Sequence, residues 1–280
     1  GEVTITDCTI ERTERNTGFS SDDDGYGILI EDGDDITIRD VDVFDTGGSP
    51  FALLTEDARG RSVTIEDCFL SDNESGSGII VQDTSGEDTV DIDSVQIEGM
   101  SNRGLNIESD MVDINNALIE DNGSADAGIE VTSSSDGDVA ITDSTVLRTT
   151  RSSGFGSNDG GRGIWITDGE VVTIDDTVAR NNDGENIEIE TDSVRGQTVT
   201  LDNVTAEESS NRHGILIRGS NGDDTITVRN SAATDNDGYG YRLGSESVTV
   251  ADSTASGNTD GGLELLDIER SEATITNSDL

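Results

Sequence analysis

Three observations predict an all-β chain folded as a single-stranded parallel β-helix, a three-sheet solenoid of about eleven rungs. The first is an octapeptide, Val3-Thr4-Ile5-Thr6-Asp7-Cys8-Thr9-Ile10. It recurs at 36–43, 63–70, 90–97, 112–119, 139–146, 172–179, 199–206, 226–233, 248–255 and 273–280. The second is a shorter Gly-led unit between copies, as in Gly27-Ile28-Leu29-Ile30, Gly78-Ile79-Ile80-Val81, Gly128-Ile129-Glu130-Val131 and Gly163-Ile164-Trp165-Ile166. The third is that too little chain separates these units for a crossover helix. Repetition at a near-constant period takes precedence over local signals, because it sets the whole architecture.

Each element has a physical reason. The octapeptide alternates with period 2, the signature of a strand. Its first position is Val or Ile in every copy except Ala273, and its third is Ile, Leu or Val throughout. The fifth position is Asp7, Asp40, Asp67, Ser94, Asn116, Asp143, Asp176, Asn203, Asn230, Asp252 and Asn277. Asp and Asn tolerate the left-handed backbone, so the chain can bend there and return positions 6 and 8 to the interior. A rung therefore holds three strands: positions 1–3, positions 6–8 and the Gly-led unit. Stacked at about 4.8 Å, the rungs build one continuous core. Each fully buried apolar side chain contributes about 1.5–3 kcal/mol before entropy.

Rungs begin at 3, 36, 63, 90 and 112, then at 139, 172, 199, 226 and 248, an offset of 136 residues. Residues repeat with the spacing: Arg12-Thr13, Gly18-Phe19 and Gly27-Ile28 recur as Arg148-Thr149, Gly154-Phe155 and Gly163-Ile164. The pattern implies one domain over 1–280 carrying a five-rung duplication, 1–136 and 137–272. Because the sequence starts and stops within a repeat, it reads as a fragment of a longer chain. In the second block position 8 becomes Ala179, Ala206, Ala233 and Ala255, so a narrower or less filled core is expected there.

The net charge is -45, from 61 acidic and 16 basic residues, and every basic residue is Arg. Such a surface excludes nucleic acid as a partner, since phosphate binding needs a basic footprint. High charge with low hydrophobicity usually means disorder, but the strict repeat implies a folded protein adapted to molar salt, an extreme halophile's protein. There the Debye length shrinks to about 3 Å and self-repulsion is screened. No stretch approaches the roughly 18 apolar residues of a membrane span, so no membrane contact is expected within this segment. Any export signal or anchor would lie outside it. The expected location is extracellular, on a cell or virion surface, with self-association or a larger surface assembly as one use of the duplication.

The V-x-I-x-[DN]-x-x-[IVLA] and G-I-x-I copies resemble the right-handed parallel β-helix of the pectin-lyase-like superfamily, over the whole chain. Right-handed coiling follows from that resemblance and from the general hand of parallel crossovers. The resembled fold hosts lyases, hydrolases, epimerases, adhesins and viral spikes. In its enzymes substrate lies along the sheet that corresponds to the Gly-led units.

On that sheet the outward positions are Leu29, Ala52, Ile80, Asn106, Glu130, Trp165, Glu188, Leu216, Arg242 and Glu264. Trp165 offers a stacking face for a sugar or packs beneath the loop around Phe155. Glu130 and Glu188, two rungs apart, should lie about 9–10 Å from one another, at the edge of the about 6.5–9.5 Å range of inverting glycosidases. With Glu190, Arg218 and Arg242 these residues form the expected ligand-binding set, a polysaccharide or cell-surface glycan being the expected partner. Glu130, Glu188 and Arg218 are the catalytic candidates if the chain is an enzyme. The lone histidine sits in Arg212-His213-Gly214, reminiscent of the G-H-G of polygalacturonase-like enzymes. Their Asn-Thr-Asp and Arg-Ile-Lys motifs are missing, and the Arg and calcium-binding carboxylates of pectate lyases are not recognisable. The expected role is a structural or recognition module: a surface protein, adhesin or viral fibre. The alternative is a polysaccharide lyase or glycoside hydrolase.

Three further features call for placement. Asp22-Asp23-Asp24 is an oxygen cluster of the kind that suits Ca²⁺ or another hard cation, or else solvated acidic surface. The Asp/Asn column is either a cation ladder or turn chemistry. Cys8 and Cys68, two rungs apart at about 10 Å, exceed the about 7 Å limit for a disulfide and should be buried free thiols. No cofactor is required by this reading.

Overall fold

Alternating apolar residues, broken at fixed intervals by a residue able to adopt positive φ, wind the chain into stacked coils. The computed structural model describes residues 1–13, 25–31, 33–55, 60–83, 88–123, 126–133, 137–151, 160–190, 196–219, 223–266 and 272–280. The expected Asp22-Asp23-Asp24 cluster and the loop around Phe155 lie outside them.

A typical rung has strands Ser62–Glu66, Phe69–Ser71 and Ile79–Asp83, followed by Thr89–Asp93, Gln96–Glu98 and Leu105–Glu108 in the next. Neighbouring rungs pair in parallel, position for position: Val63 with Val90, Ile65 with Ile92, Ile79 with Leu105. The register is forced, since a one-residue slip would turn each apolar side chain to solvent. Three faces result, but they form two hydrogen-bonded sheets rather than three. Glu2–Glu11 and Asp35–Phe44 pass through the bend as single strands and join the first two faces into one 19-stranded sheet; the third face is a 10-stranded sheet. A one-residue bend redirects the chain without ending the ladder. The ladder is also continuous across residue 136, through Met111–Asn115 against Asp138–Thr142.

The bend column is as expected. All eleven fifth-position residues, Asp7 to Asn277, have φ between 46° and 55°. Side chains of this column hydrogen-bond from rung to rung, Asn203 Nδ2 to Asp176 Oδ1 and Asn116 Nδ2 to Ser94 Oγ at 3.1 Å. A second left-handed corner follows five residues later, at Arg12, Asp45, Asp72, Gly99, Asp121, Arg148, Asn181, Glu208, Asp235 and Gly257. The sequence reading did not anticipate it, because Arg12, Arg148 and Glu208 are not turn formers.

Glycine leads the third strand for want of room. A Cβ on Gly78 would come within 2.6 Å of the Gly104 carbonyl oxygen and of the Ile97 side chain. In one rung Asn186 takes the glycine's place and is wholly buried.

The apolar side chains form one column from Ile28 to Ala255. Both cysteines are free, but only Cys68 is buried; Cys8, on the first rung with a neighbour on one side only, is half-buried. Burial pushes the Cys68 thiol up to about 11. Beside the small Ala179, Ala206 and Ala233 runs a buried amide network. Asn182 Nδ2 donates to Asn186 Oδ1 at 2.9 Å, Asn186 Nδ2 to Asn236 Oδ1 at 3.0 Å, and Asn236 Nδ2 to Asn258 Oδ1 at 2.9 Å. Tyr241, fully buried, donates its hydroxyl to the Thr254 carbonyl.

Candidate functional site

The outer face of the 10-stranded sheet gathers the expected site residues. Trp165 pairs in register with Glu130 on one side and Glu188 on the other. Glu190 lies across from Arg218, and Leu216 lies between Glu188 and Arg242. Placement in the ladder is therefore as expected, while exposure is not. Ala52, Glu188 and Leu216 are each 0% exposed, although the alternation directs them outward.

Arginines explain the burial of Glu188. Arg162, itself only 7% exposed, hydrogen-bonds through Nε to Glu188 Oε2. Arg218 Nη2 lies 3.2 Å from Glu188 Oε1, close enough for an ion pair but without hydrogen-bond geometry, and its Nη1 donates to Glu190 Oε1 at 3.0 Å. The buried Glu185 adds a third carboxylate, 4.0 Å from Arg162 and 3.9 Å from Arg212. Two rungs earlier, Arg103 pairs with Glu130 through Nε and with Asp126 through Nη2 at 2.6 Å. Sequence reasoning missed Arg103, Arg162 and Glu185. A signal existed: Arg103-Gly104 and Arg162-Gly163 each set an Arg just before the Gly-led unit, one rung from an outward Glu.

Arg162 also occupies Trp165. Its guanidinium carbon sits 4.4 Å from the ring centroid, a cation–π contact of about 0.5–2 kcal/mol. Trp165 is half-buried, and its indole Nε1 is buried without a hydrogen-bond partner. One ring face is thus taken by the protein itself. At the far end of the sheet Arg242 pairs with Glu264 at 2.5 Å and approaches His213 Nε2 at 3.3 Å, while His213 Nδ1 accepts the Tyr239 backbone N–H at 3.0 Å.

The electrostatics follow from burial. Desolvation raises the Glu130 pKa above its ordinary value despite Arg103. Desolvation and then the Glu188 charge raise Glu185 and Glu190. Burial works to lower Arg162, but the charge and hydrogen bond of Glu188 outweigh it and leave its pKa raised. Burial, Arg242 and Arg212 together hold His213 below its usual range. An inverting pair needs one carboxylate that can reach a water and one carboxylic acid that can reach the glycosidic oxygen. Glu188 is closed off and Glu130 is engaged by Arg103, so the arrangement suits a fixed, charge-balanced surface. Among the described residues no group of three or more His, Cys, Asp or Glu is disposed to hold a metal ion.

Short parallel strands coiled into continuous ladders, with bends at fixed corners and one outer sheet bound across its rungs by ion pairs, define a parallel β-helix solenoid. The chain matches the model of the right handed beta helix region over residues 1–160 and again over 149–280, and it belongs to that family. The family includes pectate lyases, glycosidases and surface proteins. No curated protein and no solved structure matches the chain.

Proposed function

We propose that this chain is a non-catalytic structural and recognition module of a surface protein, adhesin or fibre, displayed outside the cell in a high-salt environment, with a glycan-binding position at the open side of Trp165. The observation that carries the reading is the pairing of the outward carboxylates. Glu130, Glu188, Glu190 and Glu264 each face an Arg of an adjacent rung. A catalytic carboxylate must exchange protons with substrate or water, and these are committed to the scaffold. The remaining ring surface of Trp165 can stack on a sugar. The strongly acidic surroundings favour neutral or amino sugars over uronates.

Trp165 is the chain's one tryptophan, so its fluorescence reports this position alone. In about 3 M KCl, where surface repulsion is screened, a neutral or amino-sugar oligosaccharide should shift or quench that emission. Trp165→Leu should abolish binding with little change in Tm, because Leu29 occupies the same place in the first block. Silence across a broad glycan panel would remove the binding role. The lyase or hydrolase reading keeps one supporting observation, the raised pKa of half-buried Glu130, the property of a general acid. Turnover of any glycan, lost on Glu130→Gln or Glu188→Gln, would replace the present reading with that one.

A further inference from the structure

A different face of the solenoid carries a groove of about 470 Å³. It lies on the outside of the 19-stranded sheet, across Ser62–Glu66, Thr89–Asp93, Met111–Asn115, Asp138–Thr142 and Val171–Asp175. Two parallel columns form its floor. One runs Ser62, Thr89, Met111, Asp138, Val171; the other runs Thr64, Asp91, Asp113, Ala140, Thr173. Four rung spacings of about 4.8 Å make it about 19 Å long.

Its composition is unlike the rest of the face. The second column is threonine at both ends of the groove, Thr64 and Thr173, and beyond them: Thr4 and Thr37 before, Thr200, Thr227, Thr249 and Thr274 after. The duplication supplies a control. Counted 136 residues on, Asp91, Asp113 and Met111 become Thr227, Thr249 and Ser247, on strands of the same length and register. The fold is therefore satisfied by Thr and Ser at these places and does not require two carboxylates and a methionine.

What stands there instead is costly. Asp91 and Asp113 are direct cross-strand neighbours, and like charges so placed destabilise a sheet. Burial raises the Asp91 pKa, and so do Asp113, Glu66 and Asp93. Among the described residues no Arg pairs with Asp91, Asp113 or Asp138, in contrast to the paired carboxylates of the other sheet. Met111 is 50% exposed and Val171 38%, on either side of the strand that carries the small Ala140. The chain has two methionines; the other, Met100, is buried. An exposed Met is an adaptable contact for apolar side chains.

We propose that this groove is a docking site for a peptide segment of a partner protein in which basic and apolar side chains alternate. An apolar side chain fills the space over Ala140, diagonal to Met111 and Val171 of the neighbouring column. Lys or Arg side chains reach Asp91, Asp113 and Asp138 and supply the counter-charge that the scaffold omits. The proposal is independent of the glycan position, which lies on the other sheet.

The probe is a fluorescein-labelled Lys-Leu-Lys-Leu-Lys peptide, read by anisotropy. Because a chain of charge -45 attracts any polycation, titrations are run in about 1 M KCl, where long-range attraction is screened. The decisive variant is Asp91→Thr, Asp113→Thr, Met111→Ser combined, which restores what the second block already folds with. Expected are saturable binding to the native chain and a loss of roughly tenfold or more in affinity in the variant, as when anchor contacts are removed. Ala140→Trp should do the same by filling that space, with an unchanged circular-dichroism spectrum. Equal affinity for native chain and triple variant would overturn the proposal, as would equal binding of the Glu-Leu-Glu-Leu-Glu peptide or of the same peptide with Leu replaced by Ser. No binding to the native chain at this salt would overturn it too.

Discussion

At the scale of single residues, this protein spends its few cations on rung-to-rung links. Arg39–Glu66, Arg103–Glu130, Arg148–Glu120, Arg162–Glu188, Arg180–Glu207, Arg218–Glu190 and Arg242–Glu264 each join adjacent coils. Most are half exposed and worth little individually. The pair of Arg162 and Glu188 differs, because both are buried. Among the described residues, removing Arg162 leaves Glu188 only its ion pair with Arg218, and removing Glu188 leaves Arg162 only Glu185 at 4.0 Å, so each loss should cost up to about 3–5 kcal/mol. Glu188→Ala and Arg162→Ala should each lower the unfolding free energy by that amount in denaturant titrations, and the double variant should lose much less than their sum. An additive double variant would mean that the two charges do not depend on each other. Glu188 also shows the limit of alternation as a guide to function. Period 2 placed it correctly on the outer face, but a long Arg side chain from a neighbouring coil can cover an outward residue, and no strand pattern encodes that. The Arg-Gly dipeptides ahead of two Gly-led units were the available clue.

At the scale of the coil, the corners decide how much could be read. The first corner was legible because Asp and Asn advertise left-handed backbone. The second was not, because its column includes Arg148, held by Asp121 and Glu120, and Glu208, exposed at φ 58°. Tertiary stacking imposes the conformation there, against local preference. Glu208→Asn should therefore stabilise the fold by about 1 kcal/mol, the cost of a side chain unsuited to that region. Glu208→Gln removes the same charge without the conformational gain and should yield much less; equal gains would assign the effect to charge. The interior corner column was equally hidden, since Asn in a β pattern reads as a surface turn. Asn236 accepts from Ser209 N–H and Asn186 Nδ2, and donates to the Ala206 carbonyl and Asn258 Oδ1. Asn236→Leu keeps the volume and removes the acceptor of the buried Ser209 N–H and of one Asn186 Nδ2 hydrogen, at about 1–3 kcal/mol each. Loss of several kcal/mol in a denaturant titration is expected. A variant as stable as the native chain would show that the network contributes shape alone.

At the scale of the whole molecule, a quasi-one-dimensional stack of coils carries a charge of -45, and its stability is set by how that charge is screened or titrated. Raising KCl from about 0.1 to 3 M shortens the Debye length to a few ångströms, so Tm should climb steeply with salt. Acid should act in the same direction. Desolvation raises the pKa of Glu130, Glu185, Glu190, Asp91 and Asp224 in the folded state. A carboxyl with a raised folded pKa binds its proton more tightly folded than unfolded. Stability therefore grows as pH falls through the folded value toward the ordinary value of about 4. Three groups oppose this. Asp121, held below its ordinary value by the hydrogen bond from Arg148, and Asp34, held low by the hydrogen bond from the N-terminal ammonium, lose their contributions as pH falls through those lowered values. His213, held low mainly by burial, costs stability once pH drops below about 6.5. Between pH 7.5 and 5 the lowered carboxyls stay ionised in both states, so His213 alone acts against relief of surface repulsion and the five raised carboxyls, and Tm at low salt should be higher at pH 5 than at pH 7.5. At about 3 M KCl the repulsive part is screened, but the part due to burial of Glu185 and Glu190 is not, so a smaller rise should persist. Glu185→Gln should reduce that residual rise. A Tm that falls on acidification at both salt levels would sink the account, because it would mean that the carboxylates of this sheet are net stabilisers in their ionised form.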